Sequence, residues 1–190
     1  MINRITILTS LFILFNIVKS QDIDFEEQEK NIISLSNVIL TGETDSIRNY
    51  ASQQMQKLLK EILDAKKSYL HEFKETGHVS ILQPKDKKFK IITWFEPHKS
   101  GELKYYGIIQ TCNKRGKKCN TYILEDTQDL SQENINYDFQ LNNWYGCLYY
   151  DLIITKIEKD TYYTLLGWDG NNNKTSKKMI EVLNVSKNQA

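Results

Sequence analysis

Asp169-Gly170-Asn171-Asn172-Asn173 sets side-chain oxygens at alternate positions, as the first half of a calcium-binding loop does. The likeness then breaks: such a loop needs Gly at its sixth position, which is Lys174, and Glu at its twelfth, which is Ile180. The reading is a tight turn, because Asp, Asn and Gly tolerate left-handed backbone, with Asn or Thr175 capping the next helix. Four acids stand in or at the ends of apolar stretches: Glu96, Asp126, Asp151 and Asp169. Two of them facing across a cleft would supply the acid and base of a glycan hydrolase. Asp151 lies inside an apolar run, where a charge must face solvent, pair or shift its pKa. On strict alternation it shares a face with Tyr145, Cys147, Tyr149 and Ile153, so the reading is an Asp hydrogen-bonded to a Tyr.

The remaining reactive side chains are few. His98 sits in Glu96-Pro97-His98-Lys99-Ser100, which holds a serine, a histidine and an acid, but no Gly-x-Ser-x-Gly elbow accompanies them; an exposed turn is expected. His71 is expected at a helix end, where a cation suits the dipole. Trp94, Trp144, Tyr145, Tyr149, Tyr150, Tyr162, Tyr163 and Trp168 could line a sugar platform, although aromatics at strand spacing more often form core and cross-strand pairs. Cys112 and Cys119 bracket Asn113 to Lys118, a hairpin tip around Gly116. Two readings stay open: a disulfide, adding about 2 to 3 kcal/mol, or two free thiols on misaligned strand ends. A spacing of six and no second pair exclude the usual zinc set. Cys147 reads as a small buried residue. No metal and no cofactor is expected.

The elements that must position these groups fall into two halves. Phe25 to Phe73 is helical in pattern. Ile32, Ile33, Leu35, Val38, Ile39 and Leu40 mark a first helix ended by Thr41-Gly42; Thr44 or Asp45 caps a second, whose apolar stripe runs to Phe73, with Gly77 closing it. From His78 the pattern turns to strands: Val79–Leu82, Phe89–Phe95, Leu103–Gln110, Asn120–Leu124, Trp144–Ile157 and Thr161–Trp168, with a polar loop over 126–140. Short turns between them favour an antiparallel meander. Thr175 to Val185 reads as a short final helix. The expected fold is α+β: an N-terminal helical pair packed on a twisted antiparallel meander of five to seven strands.

The first twenty residues are a different kind of segment. Arg4 precedes a run of about 14 mostly apolar residues, short of the roughly 20 that span a bilayer, and small Ser20 follows. That is the order of a secretory signal peptide, with cleavage between Ser20 and Gln21. Residues 21–190 then form a single domain, 21–77 helical and 78–190 sheet. Lys+Arg 25 against Asp+Glu 24 leaves no global field to gather nucleic acid. No later stretch reads as a membrane span.

Four blocks carry a resemblance: Asp86 to Trp94, Tyr106 to Gln110, Trp144-Tyr-Gly-Cys-Leu-Tyr-Tyr150, and Tyr162 to Asn172 continuing through Lys177 to Leu183. Together they are similar to a family of uncharacterised exported proteins of Bacteroidota. The resemblance implies a periplasmic, secreted or surface location and brings no activity or catalytic residues. Similar members run on past Leu183, so two readings stay open: this chain resembles a C-terminally shortened member with one sheet edge left open, or a compact variant whose final helix covers that edge. Two functions follow as expectations. The first is a non-catalytic envelope or secreted module that binds glycan, peptide or protein through its aromatic sheet. The second is a glycan-active envelope hydrolase using paired carboxylates.

Overall fold

The computed structural model describes residues 23–113, 116, 118–127, 144–172 and 174–183. The expected leader with its expected Ser20–Gln21 cleavage point, most of the expected 126–140 loop, Asn173 and the residues after Leu183 lie outside the described residues.

Helix α1 spans Phe25–Thr41, and Asp24 caps it by accepting the amides of Glu26 and Glu27 at 3.1 and 3.2 Å. Helix α2 spans Asp45–Asp64, capped by Thr44 Oγ1 on the Ile47 amide at 3.2 Å. It stops nine residues short of the expected end at Phe73. The reason is competition for the Leu63 carbonyl, which accepts from the Ser68 hydroxyl and from Gln110 Nε2, both at 2.7 Å. Lys67 then takes a left-handed φ of 71°, a conformation that ends a helix. His71 is therefore not a helix terminus. It lies in the following turn, its Nε2 2.7 Å from Glu29 Oε1, stacked on Phe25 and edge-on to Phe73.

Seven antiparallel strands follow. β1 (Ser80–Leu82), β2 (Phe89–Pro97), β3 (Leu103–Cys112) and β4 (Cys119–Leu124) make one sheet in the order β1-β2-β3-β4; β5 (Leu148–Ile157), β6 (Asp160–Asp169) and β7 (Lys177–Leu183) make a second in the order β5-β6-β7. The expected α+β meander is thus present, its strands divided between two sheets. The expected helix over 175–185 is instead β7. Met179 and Leu183 pack into the apolar core beneath the sheet while Ile180 and Val182 stay exposed, an alternation of period two that suits a strand and not a helix.

The first sheet lies between two apolar layers. Ile92, Trp94, Tyr106 and Ile108 pack with Ile32, Met55, Leu59 and Ile62 of the helices. Phe89, Ile91, Tyr105 and Ile109 pack with Tyr149, Tyr163 and Leu165 of the second sheet. Burial on both faces explains why Phe89 to Phe95 is apolar at nearly every position. Each large side chain so buried contributes about 1.5 to 3 kcal/mol of transfer free energy.

Candidate functional site

The four candidate carboxylates do not converge. Glu96 is on the helix side of β2 and fully buried; its Oε2 accepts the Tyr106 hydroxyl at 2.6 Å and Asn49 Nδ2 at 3.5 Å, and its Oε1 is 3.2 Å from His98 Nε2. Asp169, at the end of β6, faces the other side of the first sheet. Its Oδ1 accepts the Tyr105 hydroxyl at 3.2 Å and the Asn171 amide at 2.7 Å, and its Oδ2 accepts the Tyr145 hydroxyl at 3.2 Å. Lys177 Nζ stands 3.9 Å from Asp169 Oδ2. Asp126 Oδ2 accepts the Tyr105 amide at 2.9 Å. Tyr105 thus ties Asp126 by its backbone and Asp169 by its phenol, the one residue that two of the four share among these bonds. Ser100, near His98, donates to Glu102 Oε2 at 3.2 Å.

Asp151 differs from expectation. β5 carries a bulge between Tyr149 and Asp151, and the extra residue resets the alternation. Tyr149 is buried, Tyr150 and Asp151 are both exposed, and Leu152 and Ile154 turn inward. The Asp151 carboxylate accepts its neighbour's amide, Leu152 N, at 2.7 Å and is solvated, not buried against a Tyr.

A different pattern organises the polar interior. Five tyrosine hydroxyls donate to carboxylates: Tyr106 to Glu96, Tyr105 and Tyr145 to Asp169, Tyr149 to Glu181 at 2.6 Å, and Tyr163 to Asp86 at 2.6 Å. Burial pushes the phenols of Tyr105, Tyr106, Tyr149 and Tyr163 well up, so they stay protonated donors. Glu181 is held above the ordinary carboxylate value by burial, against the pull of hydrogen bonds from Tyr149 and Cys147. Burial likewise raises the Cys147 thiol, with the Glu181 charge adding to it; Cys147 is fully buried, with its sulfur 3.9 Å from Glu181 Oε1. Glu181 and Asp86 were not singled out from sequence. The helical reading of 175–185 hid Glu181, whereas the alternation Met179, Glu181, Leu183 is the signal that would have found it.

These phenols are used inside the protein, so the sugar platform is not assembled. Trp94, Trp144, Tyr149 and Tyr163 are buried, Tyr145, Tyr162 and Trp168 are half-buried, and Tyr150 is exposed. The surface that does form is the outer face of β5-β6-β7. Ile180 is 74% exposed and Val182 61%, and Ile153, Ile157 and Tyr150 are exposed with them. Ile180 pairs with Leu166 and Val182 with Thr164, and Thr164 pairs in turn with Ile153, so the apolar residues run across all three strands. Lys178 Nζ caps this face 4.6 Å from the Tyr150 ring centroid.

Among the described residues, Asp169–Asn172 leads into a turn held by its own side chains, as Asn172 Oδ1 accepts the amides of Lys174 and Thr175 at 2.9 and 3.1 Å. Among the described residues, no group of three or more His, Cys, Asp or Glu is arranged to hold a metal ion. Cys112 and Cys119 are paired across β3 and β4 and joined by a disulfide, with their Cα atoms 4.1 Å apart. No family model, no curated protein and no solved structure matches this chain.

Proposed function

We propose that the protein is an exported, non-catalytic module that binds a protein partner through the outer face of β5-β6-β7, and that it belongs with the exported Bacteroidota family its strand blocks resemble. The exposed Ile153, Ile180 and Val182 on this face, bridged across β6 by half-buried Thr164 and Leu166, carry this reading. The core of a protein interface is apolar and depleted of charge, whereas a glycan platform calls for several exposed aromatic rings, and on this face Tyr150, 47% exposed, supplies one. The charged, apolar, small-residue order of the first twenty residues supports export. No helix among the described residues is long and apolar enough to cross a membrane. The acids proposed for hydrolysis are engaged as acceptors for tyrosines and backbone amides, which favours binding over catalysis.

The test places a photo-crosslinking amino acid at position 153 in the exported protein, with exposed Tyr50 on the helical layer as the control position. A discrete protein adduct at 153, absent at 50, is expected. Turnover of a cell-wall or oligosaccharide panel that Asp169→Asn or Glu96→Gln abolishes would replace this reading with the hydrolase.

A further inference from the structure

We propose that β7 is a docking edge for an extended peptide, added antiparallel to Lys177–Leu183 and bearing branched apolar residues followed by an acid. This rests on the reading that the outer sheet face binds protein, and it names the class of partner. β7 is the end strand of its sheet, paired along Tyr163–Asp169 with β6, and no described strand pairs with its other edge. The strand is held for this task. Met179, Glu181 and Leu183 point inward, Met179 and Leu183 into the inter-sheet core and Glu181 onto Tyr149. Lys178, Ile180 and Val182 point out. A docking strand gains main-chain hydrogen bonds from the edge and side-chain contacts from its alternate residues.

Size argues against a second copy of the chain. Strands of 10, 10 and 7 residues, at about 4.8 Å spacing and about 3.3 Å per residue, present a face of roughly 430 Å², below the about 800 Å² per partner that a stable complex of two folded chains buries. A single strand needs no more than this. Charge then sets its composition. The exposed charges at the start of β7 are Lys174 and Lys178, while Glu181, the acid of this strand, faces inward. In antiparallel pairing the peptide meets Val182 first, then Ile180, then Lys178. The fitting order is therefore two branched residues at alternate positions and an acidic residue two positions later.

The probe is the acetylated, amidated peptide Thr-Val-Thr-Val-Thr-Glu-Thr. The full exported chain is titrated with it by calorimetry and by amide hydrogen exchange. Binding should slow exchange along 177–183. It should weaken at least tenfold for the exposed double variant Ile180→Lys/Val182→Lys and, with the protein unchanged, for the peptide with Lys in place of Glu. Equal affinity for both peptides, or binding without protection of β7, would overturn the proposal. A concentration-dependent dimer lost in the double variant would assign the edge to a second copy. Full protection of β7 in the free chain with no binding would assign it to a segment of the chain itself. The photo-adduct at position 153, on β5, separates the two readings: if it forms while the peptide fails, the β7 assignment falls and the binding module stands.

Discussion

The Tyr149 hydroxyl stands 2.6 Å from Glu181 Oε2 and also accepts Trp144 Nε1–H at 2.8 Å, so one phenol joins the edge strand β7 to the chain entering β5. A buried carboxyl is costly when ionised, and burial holds Glu181 above the ordinary value of 4.5.

That shift has a sign. A carboxyl whose value in the fold exceeds its unfolded value favours folding in the neutral form. Its contribution is complete below 4.5, falls as pH rises through the raised value, and is level beyond. Glu181→Gln keeps the shape and an acceptor for Tyr149 while removing the charge. Its thermal midpoint at neutral pH should equal or exceed that of the wild type, by a stabilisation of about 1 kcal/mol, and the difference should vanish at acid pH. A pH series of melting curves checks this, and a Gln variant less stable at every pH would refute it.

Lys90 presents the complementary case on the helix side of β2. It is 1% exposed, its Nζ donates to the carbonyls of Ser68 and His71 at 2.9 Å each, and it lies 4.8 Å from the Phe73 ring. Burial, with the Lys87 charge beside it, pulls its pKa from 10.5 to about 8. An amine with a lowered value favours the fold in its neutral form, so stability should fall as pH drops from 10.5 through about 8 and then hold. Lys90→Met should flatten that slope. It also strands two buried carbonyls, which costs about 1 to 3 kcal/mol at pH 7, and hydrogen exchange over 65–79 should quicken.

These two residues show where sequence reasoning carried and where it stopped. The start of α2, read as Thr44 or Asp45, was legible because caps are local: a short polar side chain bonds an amide two or three residues on, here Thr44 to Ile47. The end of α2 was not, since the Leu63 carbonyl is taken by Gln110, forty-seven residues away. The apolar run at Phe89 was visible, yet its meaning as a strand covered on both faces depends on which layers assemble around it. Asp151 was misplaced because a bulge shifts alternation by one residue. The β7 segment reads as a helix because Met179, Ile180 and Leu183 share one helical side, and the competing alternation of Met179, Glu181 and Leu183 places a charge among inward positions, which only the Tyr149 partner explains.

Glu29 reports on the junction between α1 and the turn after α2. Its carboxylate takes His71 Nε2 at 2.7 Å and the amides of Lys74 and Glu75 at 3.2 and 3.1 Å. Burial alone would raise its value, but these bonds outweigh burial and hold it below 4.5. A lowered carboxylate contributes stability above its unfolded value and loses it as pH falls through the folded one. Glu29→Ala should cost about 2 kcal/mol near neutrality, measured by urea unfolding, with the gap closing in strong acid. A gap constant across pH would show that lost packing, not charge, is responsible.

The Cys112–Cys119 bridge closes a loop at the end of β3 and β4, with a sequence separation of 7. Gly116 at its tip lies near Tyr69 and Leu70, so the hairpin also rests on the turn after α2. In the chain-entropy account, opening so short a loop frees the unfolded chain by about 2.5 kcal/mol. Reduction, or the double variant Cys112→Ser/Cys119→Ser, should therefore lower the unfolding free energy extrapolated to water by about 2.5 kcal/mol and move the urea midpoint down accordingly. Cys147 is buried and its thiol is held protonated, so thiol titration of the folded, oxidised chain should find no reactive group until denaturant is added. Two readily labelled thiols in the unreduced protein would show the bridge unformed, and the predicted loss of stability on reduction would then be absent as well.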